Sequence, residues 1–290
     1  MTEKTEPSPR DHVVRAMTDD GAFRVIAAQT TETVQGAVTA QKARGETARW
    51  FGDLLTATIL TRETMSPEQR VQGILQGADR AGSLVADTHP DGATRGLVRR
   101  AEGNDQIVFH DGTILQMMRT LPSRKTHQGV VELPSKGGVP EALMAYMQTS
   151  EQVASFVAVA TWIEDTVVRA AAGYIVQLLP EVETGPLAVM AERLADFESL
   201  DSLIRRGAAG PDALLDEILY LMPYTRLEER PVRFGCQCSH MRVVLSLSTL
   251  SRNDIQELIA PGETLEIDCD YCGKSYRVTP AQLQGLLQKS

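Results

Sequence analysis

A short, mostly apolar run, "AFRVIAAQ" at 22–29, predicts a strand. The rhythm then changes. Val34 and Val38, followed by Trp50, Leu54, Leu55 and Ile59, recur at helical intervals, and Gly45 interrupts them. Two helices are expected here. From 69 to 133 short apolar stretches alternate with turn residues, as in an antiparallel sheet. Pro90-Asp91-Gly92 separates two strand-like runs and predicts a hairpin. Asp111-Gly112 within "QIVFHDGTILQMM" predicts a second. Pro140 stands in the first turn of an expected helix over 141–152. "SFVAVATWIEDTVVRAAAGYIVQLL" reads as two long buried strands broken at Glu164-Asp165. Residues 1–12 show no apolar period and are expected to be a frayed tail.

"PEVETGP" at 180–186 reads as a boundary. Beyond it Leu187, Met190, Leu194, Phe197, Leu200 and Ile204 form one apolar stripe along a helix. Gly207 and Gly210-Pro211 end it, and a second helix carries Leu214, Leu215, Ile218 and Leu219. This piece is too short to enclose a core, so its stripe must rest on something else, in every state or only in one. In the last segment "RVVLSLS" predicts a strand, "RNDIQELI" a helix and "TLEID" a strand.

Composition adds that the core is aliphatic, because aromatic residues make up only 5% of the chain. No apolar run has the length of a membrane span, and "MTEKTEPSPRDH" lacks the apolar centre of a secretory leader. The expected location is the cytoplasm. The net charge is −9. Residues 181–231 carry five Lys and Arg against eleven Asp and Glu, whereas 232–290 carry six against six. The last segment therefore lacks the basic excess that phosphate contacts require, which argues against a nucleic-acid module. No Ser/His/Asp or paired-carboxylate constellation stands out, and the expectation is a protein that is not an enzyme.

The cysteines change the picture most. All four lie in two tight pairs, Cys236-x-Cys238 and Cys269-x-x-Cys272, the second followed by Gly273. In an extended segment the side chains at i and i+2 point to the same side, so both sulfurs of the first pair can face one ion. The thirty intervening residues suffice to bring the pairs together. Four soft thiolates suit one tetrahedral Zn2+. An iron–sulfur cluster is the minor rival. A thiol–disulfide oxidoreductase is another, although no βαβ pattern surrounds the C-x-x-C. His240 is the nearest alternate ligand. Arg233, Arg242, Lys274 and Arg277 are candidates to offset the thiolate charge. Oxidation has three possible disulfide connectivities, of which pairing within each motif is the shortest route.

The spacing C-x-C, about thirty residues, then C-x-x-C resembles the heat-shock protein 33 family, redox-regulated holdase chaperones of bacteria. "FGCQCS" and "IDCDYCGKSY" agree, as do "GSLVADTHPDGATRG", "HQGVVEL" and Tyr146, Ser150, Glu151 and Gln152 of "AYMQTSEQV". Ser239-His240-Met241-Arg242 departs from the basic-acidic cluster usual after C-x-C. The resemblance implies an α+β protein in three parts. These are a mixed α/β core domain with antiparallel hairpins (1–183), a helical linker (184–231) and a small zinc-binding redox-switch domain (232–290). It implies one Zn2+ on Cys236, Cys238, Cys269 and Cys272 in the reduced state. It also implies oxidation to Cys236–Cys238 and Cys269–Cys272 disulfides, with zinc release and unfolding of the last domain and linker. The implied partners are unfolding client proteins, held without ATP. The chain would be a monomer when reduced and a homodimer when oxidised, with no nucleic-acid or membrane partner.

Overall fold

The structure is a computed structural model, described here for residues 11–179 and 185–287. One compact unit runs to Gly235 and a second begins at Cys236.

The first unit contains two sheets. Strands β1 (His12–Thr18) and β2 (Phe23–Gln29) lead into helices α1 (Thr31–Gln41) and α2 (Gly45–Thr64). Then come β3 (Arg70–Gln76), β4 (Gly82–Thr88), β5 (Ala93–Arg100), β6 (Ile114–Thr120) and β7 (Thr126–Glu132). Helix α3 (Val139–Tyr146) precedes β8 (Ser155–Glu164) and β9 (Val167–Leu178). Helices α4 (Gly185–Asp196), α5 (Leu200–Arg205) and α6 (Pro211–Ile218) lead to β10 (Tyr224–Pro231) and the short β11 (Arg233–Phe234). The five-stranded sheet has the order β10-β1-β2-β9-β8 and is antiparallel throughout. The six-stranded sheet has the order β11-β5-β4-β3-β6-β7, antiparallel except where β11 runs parallel to β5.

Helix α2 packs against strands of both sheets and is buried on every side from Phe51 to Glu63. Its polar residues survive burial because each has partners. Thr58 and Thr61 donate back to the carbonyls of Leu54 and Ala57, and Thr56 shares a hydrogen bond with Thr30. Arg62, with no exposed surface, pairs with Glu63 and donates to the carbonyls of Pro67 and Pro90. The period of two along β2 divides the unit into two cores. Ile26 and Ala28 face the cluster around α2. Val25 and Ala27 face the opposite layer, which α4, α5 and α6 cover with Met190, Leu200, Leu203, Ile204, Leu214 and Ile218.

Several expectations need correction. The presumed tail ends earlier, because His12 already opens β1; residues 1–10 lie outside the described residues. So does most of the 180–186 boundary, residues 180–184. Asp111-Gly112 makes a turn but no hairpin with 106–109, since β6 pairs with β3 and β7 instead. The single helix over 187–205 is two helices, broken before Ser199, whose hydroxyl caps α5 by accepting from the Ser202 N–H. The expected helix over 141–152 is α helical only to Tyr146 and closes in a wider turn to Glu151. There Tyr146 Oη donates to Glu151 at 2.6 Å, and Arg119 pairs with the same carboxylate.

The second unit holds α7 (His240–Leu247), α8 (Arg252–Ile259), β12 (Leu265–Asp268), β13 (Ser275–Val278) and α9 (Pro280–Leu287). "RVVLSLS" is therefore helix rather than strand. Ser239 caps α7 by accepting from the Arg242 N–H, and Val243, Val244 and Leu247 pack on the unit's core at helical spacing. Local capping and packing outweigh the β-propensity of the two valines. Only Ile255, Val278 and Leu283 of this unit's apolar residues form a fully buried cluster.

Candidate metal centre

Cys236 and Cys238 sit in the extended segment before α7, on alternate positions. Cys269 and Cys272 sit in the turn that joins β12 to β13. That turn is tied across its ends: the Gly273 N–H donates to the Cys269 carbonyl at 2.7 Å, and the Cys269 N–H donates to the Lys274 carbonyl at 3.0 Å. Gly273 has φ +68°, a backbone conformation that a side chain disfavours, which explains a glycine directly after the second pair.

The four Sγ atoms lie within 4.8 Å of one another. Cys236 Sγ is 3.7 Å from Cys269 Sγ, and Cys238 Sγ is 3.4 Å from Cys272 Sγ. Each close pair thus joins the C-x-C to the C-x-x-C. Among the described residues this is the group whose donor atoms converge as metal ligands do. His240 is not in it, because its Nε2 meets the carbonyl of Arg277 at 3.0 Å. The four nearby cations are engaged elsewhere. Arg233 pairs with Asp91, Arg242 donates to Gln237, Lys274 lies over the Tyr276 ring and Arg277 pairs with Glu266.

A donor that sequence reasoning missed completes the site. Tyr276 Oη donates to Cys238 Sγ at 3.0 Å. Its signal in the sequence is slight: Tyr276 and Val278 are the two inward positions of β13, and only one of them carries a hydroxyl. The thiols differ in acidity as a result. Burial pushes Cys238 up, but the Tyr276 hydroxyl and the neighbouring sulfurs outweigh it and lower it to about 7. Burial pushes Cys272 up to about 12, with the sulfur of Cys238 adding to the rise. Cys269 is also raised, chiefly by burial, against N–H donation from Cys272 and Tyr271.

Zinc fits this donor set. At a metal–sulfur distance of about 2.3 Å a regular tetrahedron spaces its sulfurs about 3.8 Å apart, and the measured 3.4 and 3.7 Å are close to that. Four sulfurs this near cannot all ionise unless a cation stands among them, and a thiophilic divalent ion is the kind that four thiolates select. When bound, such an ion keeps all four sulfurs anionic and ties the extended segment to the turn.

The predicted apolar stripe lies in the first unit, apart from the cysteines in the chain. Met190, Leu200 and Ile204 are buried in the layer over the five-stranded sheet, and Leu187, Leu194 and Phe197 are half-buried against it. Among the described residues no helix is long and apolar enough to cross a membrane.

Known proteins share both the sequence and the fold. Residues 11–279 match the family model described as Hsp33 protein. A 33 kDa chaperonin of Syntrophotalea carbinolica is 31% identical, over 96% of this chain and 99% of its own length. One of Bacillus pumilus is 28% identical, over 96% and 99%. The crystal structure of the 33 kDa chaperonin, a heat-shock protein 33 homologue, from Thermotoga maritima superposes with a TM-score of 0.82 at 19% identity. It covers 97% of this chain and 98% of that one. A family match across nearly the whole chain, joined to converging thiols at the spacing that first suggested it, makes this chain a member of the Hsp33 family of chaperones.

Proposed function

We propose that this protein is a redox-regulated holdase that binds unfolding proteins without ATP, and that its four cysteines are the switch. The observation that supports this reading is the pairing of a four-sulfur cluster with a unit whose fully buried apolar cluster holds only three residues. A segment of 55 residues with so little core is marginal by itself. Zinc on Cys236, Cys238, Cys269 and Cys272 supplies its folding free energy, about 10–16 kcal/mol for structural sites of this kind.

Oxidation removes the ligands. Two thiolates give up two electrons, one S–S bond forms, and one peroxide is reduced to two hydroxides. The same step in each motif gives Cys236–Cys238 and Cys269–Cys272. The segment from 232 onward then loses its order, and the linker, 184–231, unfolds with it and leaves the five-stranded sheet. Leu187, Met190, Leu194, Phe197, Leu200 and Ile204 become a sticky apolar surface for clients. The reduced form is a monomer and the oxidised form a homodimer, acting in the cytoplasm with no chemical step on the client.

The test is to treat reduced, zinc-loaded protein with hypochlorite, or with peroxide under mild heat. Metal release is followed with a chromogenic chelator, and aggregation of a thermolabile client by light scattering without ATP. Zinc release together with suppressed aggregation is expected. Release with no protection of the client overturns the reading and leaves a purely structural metal site. Turnover of a disulfide substrate would replace it with an oxidoreductase.

A further inference from the structure

The sulfurs of the cluster do not receive the same kind of hydrogen bond. Cys269 is approached by the N–H groups of Cys272 and Tyr271, and Cys272 by that of Lys274. These donors belong to the turn and exist wherever the turn does. Cys238 instead receives a side chain, Tyr276 Oη at 3.0 Å. The Tyr276 ring is held in place by burial on β13, opposite Ile267 of β12, with Lys274 Nζ 5.5 Å from its centroid. A cation over the ring withdraws electron density from it and strengthens the phenol as a donor. The residue is only 7% exposed, and its single polar atom meets a sulfur.

We propose that Tyr276 is a positioning residue that orients the Cys238 sulfur and restrains its oxidation, and so sets how readily the Cys236–Cys238 pair reacts. The proposal rests on the reading of these cysteines as a redox switch. Its chemistry is local. The Cys238 sulfur attacks one oxygen of hydrogen peroxide; an S–O bond forms, the O–O bond breaks and hydroxide leaves. The Cys236 sulfur then displaces hydroxide from the sulfenic acid and closes the S–S bond. The first step uses the lone pair toward which the Tyr276 hydroxyl points. A donor on that lone pair lowers its nucleophilicity, and the hydrogen bond must weaken before the sulfur can attack.

The experiment compares wild type with Tyr276→Phe as full-length reduced protein, once zinc-loaded and once cobalt-loaded. Metal release at a fixed peroxide concentration is expected to be roughly three- to tenfold faster in the variant, the scale of one hydrogen bond to a charged sulfur. In the cobalt form the sulfur-to-metal charge-transfer band should move to longer wavelength, while the ligand-field bands keep their tetrahedral pattern. A merely structural role for the ring would not move the charge-transfer band. Placing 3-fluorotyrosine at 276 strengthens the donor and should slow release, which serves as the test if Tyr276→Phe fails to load metal. Unchanged release and an unchanged band overturn the proposal, as does a fluorinated protein no slower than wild type. The two readings fail separately. Equal rates in wild type and variant remove the role of Tyr276 and leave the switch. A wild type that releases metal yet holds no client removes the switch and leaves Tyr276 as the restraint on oxidation.

Discussion

The two compact units are stabilised by different means. Up to Gly235 order comes from packed apolar volume: two sheets, a helix buried on all sides between their strands, and a second layer of helices over the five-stranded sheet. From Cys236 onward the described residues offer a buried apolar cluster of three and four converging sulfurs. Packing is distributed, so no single contact decides whether the first unit folds. Sulfur ligation, as proposed, is concentrated, so four atoms would decide it for the second. Under the proposed function, in which one part stays folded while another gives way under oxidation, this division is what the switch would need.

The sharpest way to break the comparison is to remove the metal. Treating reduced protein with a strong chelator, or making Cys269→Ser, should abolish amide-exchange protection in α8, β12 and β13 while α2 stays protected. About 10 kcal/mol or more of apparent folding energy is at stake. Unchanged protection in β12 after metal loss would mean that the small core suffices, and the contrast would fail. The converse experiment is Phe51→Ala. Phe51 is fully buried, and a Cβ added at Gly96 would meet its ring at 2.4 Å, so ring and strand are in close contact. A loss of about 3–5 kcal/mol is expected from the cavity, with metal content unchanged. Loss of zinc on Phe51→Ala would show that the two regions are not independent.

The same difference governed what could be read from the chain. Strand β2, the break at Gly45 and the turn at Gly92 are legible because each follows from local rules. Strand β2 is a short apolar run buried on both faces, Gly45 has φ +55°, and Gly92 has φ +77° with the Pro231 carbonyl 2.3 Å from where a Cβ would be. The cysteine pairs are legible because ligand spacing is itself local. Strand β10 is not. "YTRLEERP" is an edge strand bearing charges and little buried surface, so its place beside β1 is set by backbone hydrogen bonds that leave no apolar pattern. Helix α7 is misread because two adjacent β-branched valines precede an alternation of leucine and serine at 245–248, and the Ser239 cap marks the true start. Tyr276 is hidden for a third reason. Its partner lies 38 residues away, and nothing in a lone tyrosine announces a sulfur.

The linker helices test where the packed region ends. Phe197 meets the Tyr174 ring edge-on, with centroids 5.9 Å apart, and Leu194 lies half-buried in the same layer. Placing carboxylates at both, Leu194→Asp with Phe197→Asp, should cost about 3 kcal/mol by stranding charge against an apolar face. The expected phenotype is a reduced, zinc-loaded protein that already slows aggregation of a thermolabile client. A double variant as silent as wild type when reduced would mean that this layer is not the covered surface.

The smallest effect concerns a buried charge in the packed unit, and there the sign with pH discriminates. Asp87 has no exposed surface and is bridged by Arg70 at 2.5 Å, Arg95 at 2.9 Å and His89 at 3.4 Å. Burial pushes its carboxyl up, but these partners together hold it well below the usual carboxylate range. A lowered folded-state value means that the stabilisation is complete above the unfolded value, about 3.9, and is lost as pH falls toward the folded one. Asp87→Asn should therefore lower the stability of the first unit by about 2 kcal/mol near neutrality. This is less than a fully buried pair would cost, since water reaches Arg70, which is 37% exposed. The gap between variant and wild type should hold down to about pH 4 and narrow below it. Asp53 has the opposite sense. Burial raises it to about 7, so the cost of ionising it is absent in acid and grows toward neutrality. It is common to both proteins and cancels in their difference. Thermal melts of the pair between pH 7 and pH 3 therefore isolate Asp87, and a gap that widens in acid would show that its partners do not stabilise the anion.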